Sequence, residues 1–412
     1  MSHPNDSSSE SPLTFGQRVR RARERRGLTR AVVGGLVGRS AEWVKAIETD
    51  RLHMPRLPLL LRMADVLGVD LTAFTGDERL AVATYSKATH MDLPVVKDAL
   101  TAYHFRSPEE SEEPQSADTL LGRVQHGWQL WHAPGDHRSR IATIVPRLLS
   151  DLQYAARELE GAERRRVLVG LAETYHLVQL YLSFQPAGEL VMLTGDRAMS
   201  AAQDADSPRA IAGAAWYMNH VFRDAGEAHE ARVDLAMKAA ELLRNTDSSH
   251  EELARWGLLQ LAAALSYAKV GRSGEAWRHW DHASDAAGRL GEGYSHPWLI
   301  FGPGMVDAYR LTMHNDLVQS RSAIEVATNI DLAPMPSATR RSFHHVEAAR
   351  AYSMEGEKLA VVHLLRKAHE ESPETVRYNL FARTALPDLV ANGPAIVRAD
   401  AQFLAEELGV PA

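Results

Sequence analysis

The sequence predicts an all-α protein, with a small five-helix domain at the amino terminus followed by a long α-solenoid of helical hairpins. Three observations lead to this fold class. Apolar residues recur at helical spacing along nearly all 412 residues, and the alternation typical of strands is scarce. Two short amphipathic helices joined by glycine are indicated within residues 28–48. Hairpin-like units with glycine or asparagine at the turn return every 41 to 45 residues between positions 226 and 356.

Residues 28–48 carry the clearest local pattern. Thr29 and Ser40 stand where a hydroxyl can accept hydrogen bonds from the first-turn amides of a helix. Gly34 removes a side chain where two helices would cross closely, and Gly38 can adopt the positive φ of a sharp turn. Each helix has one apolar stripe, formed by Val33, Val37, Val44 and Ile47. A helix, a glycine turn and a capped second helix make the helix-turn-helix pattern, in which the second helix enters the DNA major groove.

The flanking residues extend this pattern. A basic amphipathic helix is predicted over 15–27, and an apolar helical segment over 57–74 follows a proline-containing loop. The whole arrangement resembles the Cro/C1-type (XRE) helix-turn-helix domain over residues 13–76. The residues that carry the resemblance are Gly27-Leu28-Thr29, Gly34, Gly38, Ser40, Val44, Ile47-Glu48 and Ala64-x-x-Leu67-Gly68-Val69. The resemblance implies binding to a double-stranded DNA operator, and an ion pair between Arg23 and Glu48 that ties the first helix to the recognition helix.

The distribution of charge supports a DNA-binding end. The net charge of the whole chain is −7, which by itself argues against nucleic acid as a partner. Residues 13–68, however, contain 12 basic and 5 acidic side chains, and the rest of the chain contains 34 and 48. A basic module on an acidic remainder indicates that one end of the protein meets DNA and the other does not.

Composition is that of a globular cytoplasmic protein. Hydrophobic residues make up 45% and charged residues 24% of the chain, and no apolar run approaches the ~20 residues of a membrane span. Cysteine is absent, which excludes disulfides, thiolate metal sites and a cysteine nucleophile and fits a reducing compartment. The serine-rich start of the chain does not have the features of a signal peptide.

Four segments are expected along the chain. They are a disordered tail (1–12), the helix-turn-helix domain (13–76), a helical connector with an acidic linker (77–118), and a helical-repeat domain (119–412). The boundary before the repeats is placed in the acidic, proline- and serine-rich residues 107–118. Pro94 is expected at a helix start, and residues 394–408 are expected to form a terminal capping helix.

The repeat units share one internal spacing. A large residue is followed four positions later by a turn residue, and small residues recur on the second helix, so that the helices of a pair can pack closely and stacked pairs bury one continuous core. The turn residues are Gly226, Gly271, Asn315 and Gly356, with a weaker unit at Gly188. The spacing resembles the tetratricopeptide (TPR) repeat over about residues 160–385. Its period exceeds the 34 residues of that repeat, so we expect TPR-like hairpins with extended helices or loops.

Nine residues are candidates for DNA contact. Glu42 can accept a hydrogen bond from a cytosine amino group, or can simply stabilise the first helical turn through the helix dipole. Trp43 is better explained by packing than by base reading. Arg30, Arg51 and Arg56 are expected at phosphates. The full set is Arg30, Arg39, Ser40, Ala41, Glu42, Trp43, Lys45, Arg51 and Arg56.

A second candidate site is the inner surface of the repeats, which the first helix of each hairpin lines. Counting back from each turn residue predicts a mixed surface of aromatic, methionine and basic side chains, suited to an anionic effector. Asn219 occupies a position where a small residue is usual, and a buried amide there needs a partner. The candidate residues are Trp216, Asn219, His220, Arg223, Lys269, Tyr309, Met313 and Arg350. An equally strong alternative is that these side chains pair with nearby acids and that the groove packs on the chain's own carboxy-terminal helix.

No catalytic constellation stands out. His279 and His282 lie three residues apart, near Asp281 and Asp285, a spacing that can bind a metal on a helix face. The better interpretation makes them ordinary surface residues, because Trp280 between them belongs to the core of its unit. Nucleophile-elbow, phosphate-loop, zinc-protease and dinucleotide-binding motifs are absent from the sequence. We therefore expect neither an enzyme nor a metal or cofactor site.

These observations predict a sequence-specific transcription regulator. Its TPR-like domain is expected to dimerise and to sense a small molecule, a peptide or a protein partner. The architecture is similar to that of quorum-sensing regulators whose repeats bind a signalling peptide, a resemblance that implies a dimer and a ligand-sensing body. The alternative is a helical-repeat scaffold or adaptor whose helix-turn-helix is accessory.

Overall fold

The structure is a computed structural model that describes residues 13–55, 57–75, 87–102, 113–225, 229–243 and 249–410; the side chains of 57, 58, 75 and 223–225 are not described. Within these ranges the chain forms 21 helices and no strand, which confirms the all-α fold class. The chain divides into two compact units, an amino-terminal unit (Met1–Tyr85) and a larger unit, here called the body (Ser86–Ala412). Among the helices of the described residues, none combines the length and apolar character that a membrane crossing requires.

In its described residues, the amino-terminal unit contains five helices around one small core. Val19, Val33, Val44 and Ile47 are fully buried together with Leu60, Met63 and Phe74 from the later helices. The apolar stripes that the sequence predicts therefore face one another. The helices are α1 (Phe15–Arg25), α2 (Arg30–Val37), α3 (Ala41–Glu48), α4 (Leu57–Leu67) and α5 (Thr72–Thr75).

The ends of these helices are set by side chains and by one glycine. The Thr29 hydroxyl accepts a hydrogen bond from the Val32 amide at 3.2 Å, and the Ser40 hydroxyl accepts one from the Trp43 amide at 3.0 Å. Gly38 ends α2 in the left-handed conformation, with φ 66° and ψ 42°. The predicted caps and the predicted turn are thereby confirmed, because each satisfies amides or carbonyls that the helix leaves unpaired.

The body is a stack of helices with an inner layer. Its helices are α6 (Leu93–Thr101), α7 (Ala117–His132), α8 (His137–Glu158), α9 (Gly161–Leu182), α10 (Gly188–Asp204), α11 (Pro208–Ala225), α12 (His229–Leu243), α13 (His250–Lys269), α14 (Ser273–Leu290), α15 (Pro303–Asp316), α16 (Ser320–Asn329), α17 (Ala338–Met354), α18 (Lys358–Glu371), α19 (Pro373–Tyr378), α20 (Leu380–Asn392) and α21 (Ala395–Leu408). Consecutive helices pack on one another. In addition, each of α9, α11, α13, α15 and α17 contacts the next helix of this series, so that the five form one continuous inner surface.

Of the five predicted turn positions, two are confirmed, two differ and one lies outside the described residues. Gly271 and Gly356 lie between helices with φ of 81° and 78°. Gly226 lies outside the described residues. Asn315, in contrast, lies inside α15 and is buried, and the positive φ of that turn belongs to Val318. Gly188 begins α10 rather than ending the helix before it.

The beginning of the body differs from the predicted boundary. Val96 and Leu100 of α6 are fully buried in the main core of the body, although the sequence places them in a connector. Pro94 lies in the first turn of α6, as predicted. The core side of α6 therefore belongs to the body, and the division of the chain lies at residue 85 instead of in the acidic linker.

The body also closes on itself, which the sequence does not predict. Helix α7 contacts α17, and His132 at the end of α7 bonds to the segments that precede α15 and α17. Its Nε2 donates to the Trp298 carbonyl at 3.0 Å, and its Nδ1 lies 2.8 Å from the Ser337 hydroxyl. At the same seam, Glu374 of α19 accepts hydrogen bonds from the Arg138 amide at 2.5 Å and the Ser139 hydroxyl at 3.1 Å. These contacts bound the inner surface on the side of α7 and α19.

Candidate functional site

The exposed face of α3 is the candidate nucleic-acid interface. Glu42 and Lys45 are exposed, one turn apart, with Lys45 Nζ 3.4 Å from Glu42 Oε2. An exposed ion pair of this kind is worth little in stability and can be exchanged for contacts to bases or phosphates. Ala41 is partly exposed in the first turn, beside Ser40, whose hydroxyl is used as the cap.

The side chains flanking this face are held in place. Trp43 is half-buried and packs on the core, in agreement with the packing interpretation. The Arg39 guanidinium lies 5.7 Å from the centre of the Trp43 ring and donates a hydrogen bond to the Gly38 carbonyl at 3.0 Å. Arg51 is exposed beyond the end of α3, and Arg56 lies outside the described residues.

A buried ionic network fixes the angle between α1 and α3. The Glu48 side chain is fully buried and accepts hydrogen bonds from Arg23 Nε at 2.5 Å and Arg23 Nη2 at 3.1 Å. Arg23 also donates to the Leu28 carbonyl at 2.9 Å. The hydrogen bond to Glu48 raises the pKa of Arg23 more than burial lowers it. The ion pair implied by the resemblance is confirmed.

Arg30 takes part in the same network, a role that the sequence pattern does not predict. Its Nε donates to Glu48 Oε2 at 2.8 Å, and its side chain is 35% exposed. Glu48 is therefore shared by two guanidinium groups. Arg30, expected at a phosphate, supports the recognition helix as well.

A second tie joins the start of α1 to the end of α3. Asp50 accepts hydrogen bonds from the Thr14 hydroxyl at 2.6 Å and from the Gly16 amide at 2.9 Å. Thr14 also forms a capping box with Gln17. Asp50 has a φ of 54°, a left-handed backbone conformation that residues other than glycine rarely adopt. Its carboxylate reaches Thr14 and Gly16 from this conformation. Both ends of α1 are thus anchored to α3.

The second candidate site is a cleft at the centre of the body. It encloses about 1280 Å³ of empty space, its open mouth included. Of the eight predicted inner-surface residues, four line it: Trp216, Asn219, His220 and Tyr309. Helix α19 and the residue after it also contribute wall residues, Thr375 and Asn379, so part of the wall is the chain's own carboxy-terminal region.

The amide of Asn219 already has partners within the chain. Its Nδ2 donates to the Arg232 carbonyl at 2.8 Å, and its Oδ1 lies 3.3 Å from the Ser266 hydroxyl. Two other buried amides make the same kind of bond between helices, Gln179 to the Tyr217 carbonyl and Asn315 to the Glu347 carbonyl, each at 2.8 Å. These side chains hold helices together, and Asn219 therefore gives no reason to expect a ligand backbone.

Two of the predicted basic residues are paired with acids. Lys269 Nζ lies 2.8 Å from Asp316, and Arg350 lies 3.5 Å from Asp316 and 2.8 Å from Glu347. Burial lowers the pKa of Arg350, but the two carboxylates raise it further, so that the net shift is upward. Neither residue lines the cleft, and the alternative that these cations pair with nearby acids is confirmed.

The other two predicted residues also lie elsewhere. Met313 is buried in a small separate cluster with Ala264 and Ala276. The side chain of Arg223 lies outside the described residues. Counting from the turn residues therefore located the aromatic part of the cleft but not its cations.

The cations that do line the cleft are Arg138, Arg232 and Arg340. Arg138 is buried between Tyr378 and Trp131, with its guanidinium 4.5 Å and 5.6 Å from the two ring centres, and burial lowers its pKa to about 10. Among the lining residues that the structure describes, Asp316 is the one that is acidic, and it is paired with Lys269 and Arg350. The described walls of the cleft thus carry a positive excess.

The histidine pair considered for metal binding has ordinary partners. His279 Nδ1 lies 2.8 Å from the Gln260 side-chain oxygen, and its ring stacks on Tyr267. Burial lowers the pKa of His279 to about 4. Within the described residues, no group of three or more histidine and carboxylate side chains is arranged to hold a metal ion.

Comparison with known proteins bears on the amino-terminal unit. No curated protein matches the sequence. One similar solved structure is described as the crystal structure of BtubC (BKLC) from P. vanneervenii, 12% identical, with 57% of this chain and 90% of that chain covered and a TM-score of 0.37, a likeness too small to carry an argument. A family model described as a helix-turn-helix domain matches residues 14–74. Residues 14–74 are therefore a helix-turn-helix domain of the Cro/C1 (XRE) type.

Proposed function

We propose that the protein is a sequence-specific transcription regulator that binds double-stranded DNA through α3. The observation that carries the proposal is the combination of an exposed polar face on α3 with the buried Arg23–Glu48–Arg30 network behind it. Rigid placement of a recognition helix is what base reading requires, since a small misplacement loses the paired hydrogen bonds. The basic excess of residues 13–68 supplies the attraction to phosphates.

The test compares three substitutions on an operator and on unrelated DNA. Lys45→Ala and Arg39→Ala should weaken binding to the operator by roughly tenfold or more, with a smaller effect on unrelated DNA, because each base contact is worth about 1–3 kcal/mol. Arg51→Ala is the matched control at a phosphate position and should weaken both kinds of DNA alike. Equal losses on both DNAs for all three variants would remove the base-reading assignment.

We also propose that two copies of the chain act together, through the outer face of α21. Ile396 and Phe403 lie two turns apart on this helix and are 72% and 56% exposed, with exposed Ala399 between them. The terminal helix of a solenoid needs a polar outer face to remain in water, whereas this one carries two large exposed apolar side chains among its polar residues. The stripe therefore favours a partner surface.

A second copy of α21 in antiparallel orientation fits this stripe. Ile396 of one helix then meets Phe403 of the other, and the contact obeys two-fold symmetry. The same register brings Glu406 and Glu407 next to the amino-terminal end of the opposite helix, where the helix dipole favours carboxylates. A dimer would present two helix-turn-helix units to a two-fold operator.

The third part of the proposal concerns regulation. The central cleft is the place where the body would bind an effector, and its walls include residues of the closing seam, such as His137, Arg138 and Thr375. A ligand that binds the open and the closed seam with different affinity would shift the balance between them. DNA affinity measured with and without effector tests this coupling.

A further inference from the structure

One corner of the cleft combines a cation with aromatic rings. Arg340 Nη1 donates a hydrogen bond to the Tyr309 hydroxyl at 3.0 Å. The Tyr309 ring centre lies 6.4 Å from Trp216 and 6.3 Å from Phe343, and all four residues line the cleft. A flat ring that enters this corner meets apolar surface on several sides and a guanidinium at one edge.

Arg340 is half-buried and has no acidic partner within 4 Å in the part of the chain that the structure describes. Two nearby histidines, His132 and His344, are neutral at pH 7. Burial lowers the pKa of each to about 3, and the charge of Arg340 contributes to this shift. The nearby Lys269 and Arg350, in contrast, are paired with carboxylates. A cation in a partly desolvated cleft binds an anion far more strongly than it would in water.

The walls beside this corner also hold polar atoms without partners. Within the described residues, Trp216 Nε1, Tyr217 Oη and Thr312 Oγ1 make no hydrogen bond, although each side chain is nine-tenths buried or more. All three can donate. Unpaired buried donors are costly, so the walls beside this corner favour a bound molecule that carries acceptor oxygens.

The cleft is less suited to an extended peptide. A peptide backbone needs side-chain amides along its length, but the amides of Asn219 and Gln179 are already donated to carbonyls of the chain itself. The contact of α7 with α17 further encloses the inner surface along which an extended chain would lie. The positive excess of the walls lies beside aromatic rings, which matches one compact molecule.

We propose that this corner binds a small aromatic carboxylate, whose ring packs against Trp216, Tyr309 and Phe343 and whose carboxylate pairs with Arg340. The proposal deepens the effector-sensing part of the proposed function and rests on it. The guanidinium and the carboxylate can form two parallel hydrogen bonds, and the surrounding rings exclude water from them. The ligand class is thereby defined by one planar apolar group and one negative charge.

The experiment uses the full-length protein and two probes of equal shape, 2-naphthoate and the neutral 2-naphthamide, with binding followed by titration calorimetry. Wild type should prefer the naphthoate by about tenfold or more, since a charged hydrogen bond exceeds a neutral one by this order. Arg340→Gln should abolish the preference and leave naphthamide binding within about twofold. Arg340→Lys should retain part of it. Arg310→Gln, which removes an exposed guanidinium from the same helix as Tyr309, is the matched control and should behave as wild type.

Three outcomes would overturn the proposal: equal affinity for the two probes, a preference that survives in Arg340→Gln, or no binding of the naphthoate at all. Circular dichroism of each variant shows whether the fold is kept, and Tyr309→Phe gives a second variant that changes the corner without removing charge. DNA is absent from this titration. A failure here therefore leaves DNA binding through α3 untouched, and a loss of DNA binding would leave this result standing.

Discussion

At the scale of single residues, the two adjacent glycines of α2 have opposite roles. A Cβ on Gly34 would lie 2.7 Å from the Arg39 carbonyl oxygen and 3.0 Å from the Ser40 backbone. Only glycine therefore fits where α2 meets the turn before α3. A Cβ on Gly35 would meet no atom within 4 Å. The second glycine therefore costs helix stability without relieving any contact.

This difference predicts opposite changes in stability from the same substitution. Gly35→Ala should raise the free energy of unfolding by about 0.5–1 kcal/mol, because alanine has the higher helix propensity. Gly34→Ala should lower it by about 1–3 kcal/mol, because backbone atoms must move apart. Urea unfolding of the two variants checks the prediction, and each serves as the other's control. If the free energy of unfolding changed in the same direction in both variants, this account of the crossing would be contradicted.

The buried Glu48 gives a second prediction at this scale. Glu48→Gln should cost about 3–5 kcal/mol, because it removes the buried counter-charge of Arg23 and leaves only the exposed Glu24, at 3.5 Å. Arg30→Gln removes the more exposed partner of the same carboxylate and should cost less than about 1 kcal/mol. A double-mutant cycle between Arg23 and Glu48 measures their coupling. A cycle with no coupling energy would mean that the network does not hold α1 against α3.

At the scale of elements, α21 carries the prediction about assembly. Phe403→Glu places a charge in the middle of the exposed apolar stripe and should convert a dimer to a monomer in sedimentation velocity, with little change in the helical content. Leu242→Glu, at another exposed leucine of the body, is the matched control and should leave the dimer intact. A variant Phe403→Glu that still sediments as wild type would place the dimer contact on another surface.

The elements also show what can be predicted from sequence. Helices α2 and α3 are specified by local signals, since Thr29, Ser40 and Gly38 act within a few residues of their own helix ends. The seam that closes the body joins His132 to Ser337 and Arg138 to Glu374, more than 200 residues apart, and no local pattern marks such pairs. The same dependence on distant contacts explains why only part of the cleft lining can be predicted from the sequence.

Trp216 and Tyr309 could be predicted because they lie ten and six positions before Gly226 and Asn315, the turn positions assigned from the sequence. Arg138 lies on α8, before the recognised repeats, and Arg340 lies at the start of α17, outside the counted positions. Both arginines reach the cleft because the stack closes. Their presence there depends on tertiary packing that hydrophobic spacing does not contain.

At the scale of the whole molecule, the buried histidines make stability depend on pH. Burial lowers the pKa of each to about 3: His132, His137, His176, His296 and His344. In the unfolded chain each has a pKa near 6.5, so the unfolded state binds protons first as the pH falls. Stability is therefore fully present above about pH 6.5 and is lost progressively as the pH falls toward 3.

The expected loss for one histidine at pH 5 is on the order of 2 kcal/mol relative to neutral pH. His344→Phe should flatten the slope, because both ring nitrogens of His344 are buried without a partner in the described residues. His126→Gln, at an exposed histidine, should keep the wild-type slope. The free energy of unfolding from pH 7.5 to pH 5 provides the measurement. A flat profile for the wild type would contradict the neutral, buried state of these side chains.

The central claim, that α3 reads a DNA sequence, is tested most directly by selecting duplexes from a random library with the full-length protein. The affinity for the selected sequence is then compared with that for an unrelated duplex at one salt concentration. The account predicts a ratio of roughly 10³ or more, falling toward one in Lys45→Ala. A protein that enriches no sequence, and binds all duplexes with the same affinity and salt dependence, would contradict it.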